Sequence, residues 1–259
     1  MKIFLRSVFI FLGVFFFTGG ACPSNDTTAS NKVAQSEIYQ SYLVTQSGDS
    51  YDVNAYFRVG GRTGTTLALV APSRVTFNGQ VMKENLNTSS GTFYSTTVPA
   101  STASGSFVFT DRNSKSYTNN IDLSRVAINP SKTSSNGAEP LAVPLSRAPA
   151  DTASFNLQLN NRLVFVDAEK GEMSEAFYDR AARSIVILPT AWKDVPNGNV
   201  SLDLEIRDNI STQQGTGLGG EMAFTYDAAP VQVALTKAKT KPVKTTTAGN
   251  AAKQKTAAR

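Results

Sequence analysis

Over most of the chain, apolar and polar residues alternate with a period of two, the spacing of a half-buried β-strand. Tyr51, Val53, Ala55, Phe57 and Val59 alternate with Asp52, Asn54, Tyr56 and Arg58. Thr66 to Val70 follows a Gly-rich turn, and Asn78-Gly79 stands between the apolar residues of Val75 to Met82. An Asn-Gly pair in that setting predicts a two-residue hairpin, because both turn positions need a positive φ. Ser106 to Thr110 and Ile121 to Ile128 read as further strands. In the second half Phe155, Leu157 and Leu159 alternate with polar residues, and Ser184 to Leu188 reads as a buried strand. Val200, Leu202, Leu204 and Ile206 give the clearest alternation, and Met222 to Tyr226 and Val231 to Leu235 follow. Helical pieces are expected only near Ser174 to Arg183 and Thr190 to Asp194.

Short strands with a turn signal every ten or so residues predict an all-β sandwich rather than α/β crossovers. The stretch from Asn129 to Gly137 is polar and Ser-rich, and prolines 140, 144 and 149 follow it. That places a linker at 129–150, between a first β-sandwich domain at 37–128 and a second at 151–236. The pattern resembles the immunoglobulin-like domains common in bacterial surface proteins. That resemblance implies two tandem sandwiches, without the Cys…Trp…Cys core of antibody domains.

Composition narrows the chemistry. The 259 residues contain no histidine, so no Ser–His–Asp triad, Cys–His pair or His metal site can form. The single cysteine excludes an intrachain disulfide and a thiolate zinc site. The net charge of +5 is unevenly placed. Lys2 and Arg6 open the chain, and seven basic residues from Lys237 to Arg259 close it with no acid among them. What remains has 16 basic against 20 acidic residues, so the body is mildly acidic and a nucleic-acid partner is not expected. The Lys/Ala/Thr end, 237–259, lacks the apolar residues to fold and reads as a disordered tail. Its charge could draw it to an anionic envelope polymer.

The N-terminus addresses the compartment. Lys2 and Arg6 precede an apolar run from Val8 to Phe17, and Thr18-Gly-Gly-Ala21 supplies a small-residue end. This is the layout of a secretory signal, 1–21, and the run is too short to span a bilayer permanently. Cys22 follows directly. Gly19-Gly20-Ala21-Cys22 resembles the bacterial lipoprotein signal, although the family usually has an aliphatic residue where Gly19 stands. The resemblance implies that Cys22 is acylated, becomes the new N-terminus and anchors the chain in a lipid bilayer. Pro23 after the cysteine is compatible with sorting to the outer membrane in that family. Ordinary cleavage after Ala21 is the alternative that the same residues allow. The small polar residues after Cys22 predict a flexible tether over 22–36.

Candidate sites are few. Asp167, Glu169, Glu172 and Glu175 cluster around Gly171, as a weak calcium candidate whose spacing fits no EF-hand loop. The same carboxylates are the only basis for a glycosidase reading, since that chemistry needs no histidine. Gly215 to Gly220 is glycine-rich but leads into a strand, so it reads as a hairpin loop and not as a phosphate cradle. Trp192 reads as a core residue. No cofactor is expected. The function expected is a non-catalytic binding or structural module of the cell envelope, for a protein or glycan partner. The alternatives are a carbohydrate-active enzyme and an accessory subunit that docks by strand addition at a sheet edge.

Overall fold

The computed structural model describes residues 27–87, 91–129 and 134–237. The signal segment, Cys22 and the tail beyond Lys237 lie outside them. The strands run in order β1 Thr27–Ala29, β2 Ile38–Ser47, β3 Ser50–Val59, β4 Thr65–Ala68, β5 Arg74–Phe77 and β6 Gln80–Val81. Then come β7 Lys83–Asn87, β8 Gly91–Pro99, β9 Ser104–Thr110, β10 Ser116–Asp122, β11 Ser134–Ser135 and β12 Leu141–Pro144. The remainder are β13 Ser154–Leu159, β14 Arg162–Asp167, β15 Ala176–Asp179, β16 Ser184–Ile187, β17 Gly198–Thr216, β18 Gly219–Asp227 and β19 Val231–Leu235. The fold class is all-β, and the helical content is confined to three short 3-10 turns.

The chain forms two compact units, and neither is one continuous segment. The first takes the chain up to Val126 together with Pro149–Phe155 and Glu205–Asp227; the second takes Ala127–Ala148, Asn156–Leu204 and the chain from Ala228. Strand β17 divides between them. The segment 129–150, expected as a linker, instead supplies β12 to the second unit. Leu141 and Val143 are buried there, and β12 pairs with β16. Proline 144 is tolerated because it closes the strand, and prolines 140 and 149 stand outside it.

The first unit is a two-sheet sandwich. In one sheet β4 and β8 pair with β3, which pairs with β2; β2 continues to β18 and the second part of β17. The other sheet has the order β10-β9-β5-β6. Aromatic side chains from the two inner faces meet: Tyr42 stacks on Phe107 at 4.5 Å, and Phe57 lies 4.5 Å from Phe109. Each fully buried ring of this kind removes enough apolar surface to favour folding by about 1.5–3 kcal/mol. The Asn78-Gly79 hairpin forms as its sequence predicts, with φ of 49° and 80° and Phe77 paired to Gln80. Burial pushes the Tyr42 and Tyr94 hydroxyls far above their ordinary range.

The stretch expected as a flexible tether is folded from Thr27 onwards. Strand β1 pairs in parallel with β4, Ser30 is buried, and Gln35 is nearly so. The polar side chains of Thr27, Ser30 and Gln35 fit here because each finds an internal partner. Thr27 Oγ1 lies 2.9 Å from Thr66 Oγ1 and 3.0 Å from Thr92 Oγ1, and Ser30 Oγ accepts from the Val70 amide. Gln35 donates to the Ser30 carbonyl and accepts from the Arg112 amide.

In the second unit β19, the first part of β17, β13 and β14 are neighbours in one run. Strand β14 is the turning point: Arg162 to Phe165 pairs antiparallel with β13, and Val166-Asp167 then pairs in parallel with β15. Strands β15, β16 and β12 follow. Trp192, Leu157, Val164, Ile187, Val200 and Val233 are fully buried between these strands, so Trp192 is a core residue. Ser174 to Arg183 holds strand β15 rather than a helix, because Ala176 and Tyr178 alternate inward with a period of two. The other helical expectation is met only by a 3-10 turn at Pro189–Trp192.

Candidate functional site

A groove of about 540 Å³ opens on the outer face of the first unit's larger sheet. Its floor is set by register. Ser41 stands opposite Tyr56 across β2 and β3, and opposite Glu221 across β2 and β18. One step along, Leu43 faces Ala223, and Asn209 of β17 faces Ala223 from the far side. The small Ala223 leaves the hollow.

Tyr56 gives the groove an apolar plane. One face of its ring is covered by Phe93 of β8, stacked at 5.7 Å with 22° between the planes, and Tyr56 itself lines the groove. Burial raises the Tyr56 hydroxyl above its usual range, and the Arg58 charge opposes that rise. Arg62, from the loop after β3, pairs with Glu221 at 3.3 Å, with its side chain 70% exposed. Tyr39 lies beside the same carboxylate. Burial and then the Glu221 charge raise its hydroxyl, while Arg62 lowers it. At the other end Thr152 and Asn209 clasp each other: Thr152 Oγ1 donates to the Asn209 carbonyl, and Asn209 Nδ2 donates to the Thr152 carbonyl. Arg207 Nε donates to Asn209 Oδ1, which orients the guanidinium along the groove wall.

The acidic cluster is not assembled as a cation cage. Glu175 is held by Arg162, and Asp167 accepts from the Ser174 hydroxyl. Glu169 and Glu172 are exposed, and among the described residues no three acidic, His or Cys side chains could hold a metal ion. These residues do border an apolar surface, where Phe165 is 72% exposed and Met173 95% exposed. Gly215 to Gly220 forms the β17–β18 turn, a hairpin with no helix behind it. Cys22 lies outside the described residues. None of the groove residues is marked in the sequence, because Tyr56, Arg62, Arg207 and Glu221 come together only through strand pairing.

The described residues thus define an all-β, sandwich-type protein with a polar, aromatic-floored groove on one sheet. No protein-family model matches the chain, and no curated protein matches it. Among solved structures, murine CEACAM1b is 10% identical with a TM-score of 0.28, over 77% of this chain and all of that one. A Bacteroides ovatus protein, SGBP-B of a mixed-linkage glucan utilization locus, is in complex with a mixed-linkage heptasaccharide. It is 11% identical with a TM-score of 0.20, over 91% of this chain and 70% of that one. The Yersinia pseudotuberculosis adhesin InvE is 12% identical with a TM-score of 0.20, over 77% and 59%. At these levels the likeness concerns β-rich architecture and does not extend to what those proteins bind.

Proposed function

We propose that the protein is a non-catalytic binding module of the bacterial envelope, held to a membrane through acylated Cys22, and that its partner is a glycan. The observation that carries the reading is the groove floored by Tyr56. A sugar ring presents an apolar face and a rim of hydroxyls, and the groove offers a flat ring beside Ser41, with Asn209 and Thr152 at its other end. Its volume of about 540 Å³ falls within the usual range of ligand sites. The absence of histidine from the sequence removes the commonest general base and supports a binding role. A glycan array probed with the full mature chain is expected to give signals that Tyr56→Ala removes. Signals that persist in that variant would reject the groove as the site.

The anchor is supported by the signal-like N-terminus and the lone cysteine. Four residues separate Cys22 from Thr27, and the five chain steps reach at most about 18 Å. A lipid on Cys22 would therefore keep the start of β1 close to the headgroups. Cys22→Ser is expected to move the protein from the detergent phase to the aqueous phase on detergent partitioning. Retention in detergent would place the anchor elsewhere.

A further inference from the structure

We infer that the groove takes an acidic oligosaccharide, with a uronate-type carboxylate at the arginines and a sugar ring on Tyr56. This inference rests on the glycan reading above and adds the class of sugar.

Charge is the argument. The groove is lined by Arg62 and Arg207 and by one carboxylate, Glu221, which Arg62 already answers. Arg58 adds a third positive charge beside Tyr56, its Nη1 donating to the Gly64 carbonyl. The surroundings have the opposite balance: from Thr27 to Lys237 the chain has 19 acidic and 17 basic residues. A cationic groove on a slightly acidic body selects for an anion.

The kind of anion follows from the donors. A guanidinium presents N–H groups in a planar fork that matches a carboxylate with two parallel bonds. Arg207 is exposed, and its Nε is committed sideways to Asn209. That bond fixes the plane in which the rest of the fork is presented. A free carboxylate would be satisfied by Arg207 alone and has no use for the aromatic floor. Strand register sets Arg207 and Tyr56 three strands and four residues apart, roughly 20 Å between their backbones. An oligouronate uses both, with the carboxylate of one unit at Arg207 and the ring of another against Tyr56.

The test is isothermal titration of the full mature chain with a hexameric oligouronate and with the neutral hexasaccharide of the same linkage. The oligouronate is expected to bind about tenfold or more tightly than the neutral sugar, a difference of about 1.4 kcal/mol. Arg207→Gln should remove most of that advantage, rising salt should shrink it, and Tyr56→Ala should weaken both ligands. Equal affinity for the two sugars, lost in Tyr56→Ala, would leave the glycan site standing and overturn the acidic preference. Oligouronate binding that neither substitution alters would place the charge contact elsewhere, on the Lys-rich tail for example, and overturn the inference. No binding of either sugar would overturn the inference, and the glycan reading too if the array is also silent.

Discussion

Strand β10 ends the smaller sheet of the first unit, and an end strand ordinarily leaves a row of backbone groups open to another chain. Here two side chains take the place of the missing strand. Gln214 Oε1 accepts from the Thr118 amide at 2.8 Å, and Gln213 Oε1 accepts from the Asn120 amide at 2.6 Å. Gln213 Nε2 donates back to the Asn120 carbonyl, and Asn119 exchanges two bonds with the Gln214 backbone. Both glutamines lie where the β17–β18 register is interrupted, between Ser211 and Thr216, which frees this stretch to turn toward β10. Replacing Gln213 and Gln214 together with alanine is expected to cost about 1–2 kcal/mol, since each such bond is worth about 0.5–1.5 kcal/mol net. Urea unfolding measures the loss. Light scattering should show faster self-association, because the β10 edge is then exposed. None of this is legible in the sequence, where two adjacent glutamines look like any polar pair.

Among the elements, those with clean alternation could be read from the sequence and those with mixed faces could not. In β17 the inward Val200, Leu202, Leu204 and Ile206 are all aliphatic, and the strand forms where expected. In β2 the inward row is Ile38, Gln40, Tyr42 and Val44, and Leu43 faces outward into the groove, so the polarity pattern blurs. Gln40 is fully buried; its Oε1 accepts from the Tyr42 hydroxyl, a contact visible only in three dimensions, while its Nε2 has no partner among the described residues. The expected strand from Ile121 to Ile128 is displaced: β10 ends at Asp122, and Ile128 makes an isolated bridge to Leu145. The β17–β18 hairpin shows why its turn is rich in glycine. A Cβ on Gly220 would lie 2.2 Å from the Gln40 carbonyl oxygen, and one on Gly217 would lie 2.7 Å from that of Ser36. Gly220→Ala is therefore expected to destabilise by about 1–3 kcal/mol, the usual cost of overpacking, through separation of β18 from β2. A lowered thermal midpoint checks this. Phe165 lies on the outer face of β14 with most of its ring in solvent, and Phe165→Ser should stay within about 0.5 kcal/mol of the parent.

For the whole molecule, the order of segments matters more than their identity. The expected first domain, 37–128, lacks Glu205–Asp227, and with it the strand that pairs with β2 over six residues. It also lacks Phe224, whose ring packs edge-on against Tyr51 at 5.3 Å. A fragment 27–128 is expected to show no cooperative unfolding by circular dichroism, whereas tandem domains would each melt alone. The sequence gives no sign of this, since local patterns carry no information about which distant strand fills a sheet. Toward the C-terminus the described residues include Lys237, whose amide donates to Asn197 and whose ammonium donates to the Lys193 carbonyl. Truncation after Lys237 should leave the unfolding midpoint unchanged and weaken salt-sensitive retention on anionic cell-wall polymer, and what remains should be lost in Arg207→Gln.

The chain passes from one unit to the other at five points, including the step from Ala148 to Pro149. A protease that cuts there would not release a domain. The N-terminal piece keeps β2 and β12, the C-terminal piece keeps their partners β18 and β16, and each cut half remains laced into both units. The nicked protein should therefore run as two bands under denaturing conditions and as one species on a sizing column. By the same logic, the two halves made as separate polypeptides should reassemble when expressed together, so the molecule is a natural candidate for a split reporter.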